Sequence, residues 1–223
     1  ILEEVYSLPL SRLWGEKIGQ PLDLKSTGFD NNQTIVPRLV SGYHLLPDER
    51  LISAPYRDFS GLKGGGDMYS STGDLNQWNQ YILRQLQKPG FVAKAVHTKN
   101  NFIAKRHDGA QYGYGWFIRQ KENNRPLTYF HGGGTFGCSA MSAIYPEEGL
   151  SIVILSNVSG LPIDMIWQNV ETIALGLAFE LPKPPSLTET SELPLLTYVG
   201  NFISQPGGQK LRIFQQEQQL FAQ

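Results

Sequence analysis

Leu127-Thr128-Tyr129-Phe130-His131-Gly132-Gly133-Gly134-Thr135-Phe136-Gly137 is the stretch on which the reading of this chain turns. An apolar run that reads as a strand ends at Phe130–His131, and three residues without side chains follow. Bare backbone at a strand end lets main-chain N–H groups come up against a bound molecule. Donors placed that way hold the oxyanion of acyl transfer, so His131, Gly132, Gly133 and Gly134 are the first candidate site residues. No convincing nucleophile accompanies them, and the chain therefore reads as part of an enzyme.

Working outward, the hydrophobic period is that of strands from Tyr112 onward. Residues Tyr112–Arg119, Leu127–His131, Gly137–Tyr145 and Leu150–Asn157 are expected as strands, with turns at Lys121–Pro126 and Pro146–Gly149. Along Ser139–Ile144 both alternating faces are small or apolar, which predicts a sheet covered on both sides. Ile163, Ile166, Trp167, Val170, Ile173, Ala174 and Leu177 form a helical stripe to pack on that sheet. Tyr112, Tyr114 and Trp116 alternate with glycines and would put three rings on one strand face, chiefly as core. Tyr112 at the strand mouth and Phe136 beyond the tetrad are placed to line a cleft and touch substrate.

Upstream, residues 1–27 read as a helix and its exit, interrupted by Pro9 and ended by Pro21. Residues 28–66 read as a long irregular excursion with small strands. Ser71 caps a helix whose face is Leu75, Trp78, Ile82 and Leu86, and Pro89-Gly90 stops it. A further helix is expected at 91–96. Downstream, 181–194 carries four prolines and reads as a linker. Tyr198–Phe202 and Lys210–Phe214 then read as two strands opening a small β module over 195–223. The fold class is α+β: an antiparallel sheet flanked by helices over 1–180, incomplete, followed by that linker and module.

Composition narrows the function classes. With 40% hydrophobic and 17% charged residues, the chain of 223 residues is that of a folded protein rather than a disordered one. A net charge of -1 gives no electrostatic case for nucleic acid or an anionic membrane. The cluster Lys94, Lys99, Lys105 and Arg106 reads as a solvated face. No apolar run reaches the roughly 20 residues of a membrane span. The single cysteine, Cys138, excludes an intrachain disulfide and reads as a small buried residue. Ile1 carries neither an initiator Met nor a signal-peptide pattern, so any targeting segment is expected to be removed or to lie outside the chain.

The string His131-Gly132-Gly133-Gly134 admits three readings. It matches the oxyanion motif of α/β-hydrolase lipases, but that needs a Gly-x-Ser-x-Gly elbow and a later histidine. Gly137-Cys138-Ser139-Ala140 runs on to Met141, and no histidine follows His131. A phosphate-cradling loop needs a helix directly after the glycines, where a strand pattern stands. The third reading is a resemblance carried by several segments in order. Gln20-Pro21-Leu22-Asp23-Leu24 is similar to a "Pro-Leu-Gly-Met" helix exit, and Gly65–Leu75 to "Gly-Gly-Met-Tyr-Ser-Thr-x-x-Asp-Leu". Tyr112-Gly113-Tyr114-Gly115-Trp116 is similar to "Tyr-Gly-Leu-Gly-Trp". His131-Gly132-Gly133, Gly137, Leu155-Ser156-Asn157 and Tyr198–Phe202 match in sequence after these. Together they resemble the serine β-lactamase-like hydrolases, which include penicillin-binding proteins, class C β-lactamases, D-aminopeptidases and related esterases.

The resemblance implies a β-lactamase/penicillin-binding-protein-like fold and an acyl-enzyme mechanism. A serine of Ser-x-x-Lys attacks a carbonyl, assisted by its lysine and by the tyrosine of Tyr-x-Asn. It implies that His131 is the cation of the third motif and that the Gly134 N–H is one oxyanion donor. Where the family has a Thr hydroxyl this chain has Gly132, which favours an esterase or D-amino-acid peptidase over a true β-lactamase. It also implies a bacterial cell envelope or secreted location, a small-molecule or peptide substrate, and no cofactor.

Ser60-Gly61-Leu62-Lys63 is the one Ser-x-x-Lys string, yet Gly61 and Gly64-Gly65-Gly66 oppose the helix that chemistry needs, at about 1 kcal/mol per glycine. Tyr-x-Asn is absent, and both motifs are expected upstream of Ile1, leaving this chain inactive by itself. His44, His97 and His107 have no ligand-spaced partner beyond the adjacent His107-Asp108, so no metal site is expected. Without the nucleophile helix, apolar faces around Trp78 and on the sheet would be exposed, predicting an oligomer or a separately supplied N-terminal segment. The rival reading is a non-catalytic binding or scaffolding module of the same fold.

Overall fold

The computed structural model describes residues 1–31, 33–46, 50–97, 106, 108–122, 124–181, 194–203, 210–216 and 219–222. Pro9 lacks an N–H and divides the first segment into α1 (Leu2–Tyr6) and α2 (Leu10–Trp14), which runs into a π-helical turn at Gly15–Gly19. Leu13 and Leu24 are buried there, whereas Leu2 and Val5 are exposed. The excursion contains β1 (Gly28–Phe29), β2 (Tyr43–Leu45), β3 (Leu51–Ser53) and β4 (Met68–Tyr69). Its other apolar pieces stay outside: Ile35, Leu39 and Val40 are all exposed.

Ser71 then caps α3 (Thr72–Leu86), its hydroxyl accepting the Asp74 N–H at 3.2 Å. Asp74 in turn accepts the Ser26 N–H and the Thr27 hydroxyl, each at 2.7 Å, and so ties the first segment to this helix. After α4 (Phe91–His97), a five-stranded antiparallel sheet runs in spatial order β5 (Gln111–Tyr112), β6 (Phe117–Arg119), β7 (Thr128–Thr135), β8 (Cys138–Tyr145), β9 (Leu150–Ser156). β10 (Val158–Ser159) pairs in parallel with β2, and α5 (Ile163–Ala174) follows.

The alternation along β7 and β8 builds two cores. Tyr129 and Ile144 face Ile82, Leu83 and Val96 of α3 and α4. Phe130, Met141, Ala143 and Tyr145 face Trp167 of α5. The sheet is thus covered on both sides, as expected. Polar groups enter the first core in matched form: Asn79, fully buried, donates to the hydroxyls of Ser142 and Ser151 at 2.9 Å each. In the second, Glu171 is 1% exposed and pairs with Arg119, while Trp167 Nε1 donates to the Tyr145 hydroxyl at 2.8 Å.

Several expectations need correction. Tyr112–Arg119 is not one strand: Gly115 takes φ 77°, the Gly113 N–H bonds the Trp116 carbonyl, and a tight turn separates β5 from β6. Tyr114 is therefore exposed and Trp116 buried, rather than sharing a face with Tyr112. The strand expected to end at His131 continues to Thr135, because Ser139–Ser142 supply partners for the glycine backbone. The stripe on α5 is only half used: Trp167 is buried, but Val170, Ile173 and Leu177 face outward. Trp78 is not bare but packs beside Tyr81 against the first core. Arg106 is not on a solvated face; it bridges Asp108 and Asp164 over the rings of Phe117 and Phe130. Lys99 and Lys105 lie outside the described residues, and Cys138 is half-buried.

The chain divides into two compact units, Ile1–Phe179 and Glu180–Gln223. Most of the expected linker, 182–193, lies outside the described residues. The second unit has a 3-10 turn at Leu195–Tyr198 and a sheet of β11 (Gly200–Ile203), β12 (Lys210–Gln216) and β13 (Gln219–Ala222). The third strand was not expected, since Gln-rich sequence lacks a strand signature.

Candidate active site

Strand register decides what the tetrad offers. β7 and β8 are joined by the two-residue turn Phe136-Gly137, so the closing pair Thr135–Cys138 must exchange both of its backbone hydrogen bonds. Bonded pairs then alternate back through Gly133 and His131, and the N–H and C=O groups of Gly132 and Gly134 point away from β8. On that outer side β6 covers only Thr128–Phe130. From His131 on, no strand lies beyond this edge among the described residues. Two glycine N–H groups thus project from an open strand edge with no side chain of their own.

His131 sits where the paired half of β7 gives way to the open half, and it is exposed. Its Nδ1 lies 2.6 Å from the Gly132 carbonyl and its Nε2 3.0 Å from the Tyr112 hydroxyl. Phe117 closes the group, with ring centroids 4.7 Å from Tyr112 and 5.6 Å from His131. The turn between β5 and β6 is what swings Tyr112 alongside the histidine.

Phe136 lies at the tip of the hairpin. Phe59 stacks on it at 6.1 Å, His44 meets it edge-on at 6.3 Å, and the Arg57 guanidinium lies 3.7 Å from its centroid. The excursion is fastened here by backbone. The Tyr43 N–H bonds the carbonyls of Gly137 and Asn157, and His44 Nδ1 lies 2.5 Å from the Ser159 hydroxyl. Gly42 and Gly137 pass so close that a Cβ on Gly137 would sit 2.6 Å from Gly42 Cα. Sequence reading missed His44, Arg57 and Phe59, for the excursion has no period that marks them.

Ser60 and Lys63 lie in turns, not on a helix. Lys63 bonds Glu3 at 2.7 Å, and that hydrogen bond is the first cause holding the Glu3 carboxyl below its usual range. The backbone N–H of Ser60 likewise lowers the Asp58 carboxyl. His97 instead bonds the Tyr129 hydroxyl, and His107 lies outside the described residues. Among the described residues no three His, Cys, Asp or Glu side chains gather as a metal site. Two grooves lie elsewhere, one beside Trp14 and Leu24 and one between Pro126 and Leu177, and neither includes a tetrad residue.

Known proteins share this sequence pattern and this fold. Residues 1–167 match the family described as Beta-lactamase. The chain is 24% identical over 225 aligned residues to a "Putative D-alanyl-D-alanine carboxypeptidase" of Escherichia coli O157:H7, covering 89% of this chain and 48% of that protein. The chain thus spans about half the length of the curated relatives it matches. Its fold is similar to a D-stereospecific amidohydrolase from Streptomyces sp., with TM-score 0.63 and 20% identity over 79% of this chain and 51% of that one. It is also similar to the octameric penicillin-binding protein homologue from Pyrococcus abyssi, with TM-score 0.64 and 20% identity over 99% and 49%.

Proposed function

The chain belongs to the beta-lactamase family, and from that premise we propose that it forms the sheet side of a serine hydrolase that opens amide or ester bonds through an acyl-enzyme. The open edge of β7 carries the proposal. The Gly134 N–H is the oxyanion donor, Gly132 and Gly133 leave room for the substrate backbone, and His131, oriented by Tyr112, faces the reacting groups. Removal of one such donor typically costs about 100-fold in rate. Phe136 borders the substrate beyond Gly134. The substrate is a small molecule or peptide of the D-amino-acid peptidase or esterase type rather than a true β-lactam. Support comes from Gly132, which has no side chain to recognise a carboxylate, and from the names of the relatives above.

The attacking serine and its lysine come from a segment other than these 223 residues. Lys63, engaged by Glu3, is not in a position to activate Ser60 through a helical turn. Association is part of the same proposal: an octameric homologue exists, and Val40, Leu62 and Ile173 are exposed. Stopped-flow release from a chromogenic ester or cephalosporin is expected to show no burst with this chain. A burst that disappears in Ser60→Ala would overturn the assignment of the nucleophile. Sedimentation velocity is expected to show species larger than the 25.0 kDa monomer, and a single monomeric boundary would remove the association.

A further inference from the structure

We infer that His131 closes the Gly132 carbonyl to substrate, so that the edge selects against a backbone N–H two residues beyond the carbonyl that is attacked. This rests on the hydrolase reading above and adds a specificity for the leaving side of the substrate. Along the open edge of β7 the backbone groups stand in the order Gly132 N–H, Gly132 C=O, Gly134 N–H, Gly134 C=O. A substrate running antiparallel to β7, as β6 does, meets them with one residue opposite Gly134 and another opposite Gly132. When its attacked carbonyl lies on the Gly134 N–H, the residue two places further on turns its own N–H toward the Gly132 oxygen.

That oxygen is already taken. His131 Nδ1 lies 2.6 Å from it and donates, since a carbonyl only accepts. A carbonyl oxygen has two lone pairs, so the position of the ring decides whether a second donor can reach it. The imidazole centroid is 5.6 Å from Phe117, at the end of β6, and 5.7 Å from Tyr112 on β5, two strands away from β7. The ring thus leans off its own strand and past the end of β6, on the side from which a substrate strand arrives. The Tyr112 hydroxyl, 3.0 Å from Nε2, holds it there. An N–H brought to this place gives up water and finds no acceptor, whereas an ester linkage has no donor to lose. The edge therefore favours substrates in which the linkage after the scissile one is an ester rather than a secondary amide.

Titration calorimetry with N-acetyl-tri-D-alanine amide, and with its isostere carrying D-lactate in place of the third D-alanine, tests this. The chain is expected to bind the ester-containing probe about threefold to tenfold more tightly than the all-amide one. His131→Ala bares the Gly132 carbonyl and is expected to reverse that order, while Tyr112→Phe, which frees the ring, is expected to narrow it. An ester preference that survives His131→Ala overturns the role of His131. So does an equal loss of both probes in that variant, which marks a merely structural part. Equal binding of the two probes by the parent chain, or tighter binding of the all-amide one, removes the inference and leaves the hydrolase reading standing. Binding of neither probe removes both.

Discussion

The Tyr112 hydroxyl and the His131 imidazole form a fixed pair, 3.0 Å apart at Nε2, while Nδ1 of the same ring lies 2.6 Å from the Gly132 carbonyl. A carbonyl only accepts, so Nδ1 carries a proton, and the neutral ring accepts the Tyr112 O–H at Nε2. One tautomer is thereby selected. Long-range proton–nitrogen spectra at pH 9 are expected to show the Nδ1–H form in the parent chain and a mixture of tautomers in Tyr112→Phe. A mixture in the parent would contradict the arrangement.

Glu171 reaches into the α5-side core with 1% exposure, facing Arg119 and, at 3.7 Å, Arg125. Replacing Glu171 with Gln leaves the Arg119 charge without its partner, and removing one member of a buried pair costs about 3–5 kcal/mol. Urea denaturation of Glu171→Gln is expected to show a loss of that order. The double variant Glu171→Leu with Arg119→Met is expected to recover a good part of it, because no lone charge remains inside. Recovery of nothing would mean that the hydrogen bonds, not the charges, set the loss.

Gly137 holds φ 82° with Gly42 Cα and Ala54 Cβ against it, so Gly137→Ala strains the turn and pushes the excursion off the hairpin. The backbone strain alone is about 1–2 kcal/mol. Limited proteolysis is expected to cut within 42–59 faster in this variant, before any cut in β7 or β8. Gly90→Ala, with nothing within 4 Å of its Cβ position, is the control and is expected to leave that cleavage unchanged.

Burial raises the Tyr129 hydroxyl to about 12, and burial followed by the charge of Glu171 raises that of Tyr145. Below pH 10 both tyrosines are neutral in the folded and the unfolded chain, and they add no pH dependence. Above pH 10 the unfolded chain loses these protons first, so stability falls as the pH climbs from about 10 toward 12. Stability measured across that window is expected to decline less steeply in Tyr129→Phe. An unchanged slope would assign the decline to other groups.

Much of the sheet could be read from local chemistry. The alternation along Ser139–Ile144 predicted a sheet covered on both faces, and Ser71 with Asp74 marked the start of α3. His131 and Tyr112, each beside glycines, both read as site candidates, and the fold brings their side chains together. What escaped were relationships made by distant partners. Glycines disfavour a strand by propensity, yet β8 holds β7 straight through Gly134 by pairing. Asn79 and Glu171 interrupt apolar helix faces, and only their hydroxyl and guanidinium partners across the fold justify burying them. The Arg57–Phe136 stack joins an unpatterned segment to a hairpin tip, which no periodicity encodes.

The shared N–H of Tyr43 sets an order of events during folding. Its two acceptors, on Gly137 and Asn157, stand at hairpin ends that do not exist until β7, β8 and β9 have met. The nearby His44–Ser159 bond joins residues 115 apart. Closing so long a loop is entropically unfavourable until that landing place is formed. The excursion, and with it the aromatic wall around Phe136, is therefore the last part of this unit to settle and the first to come loose.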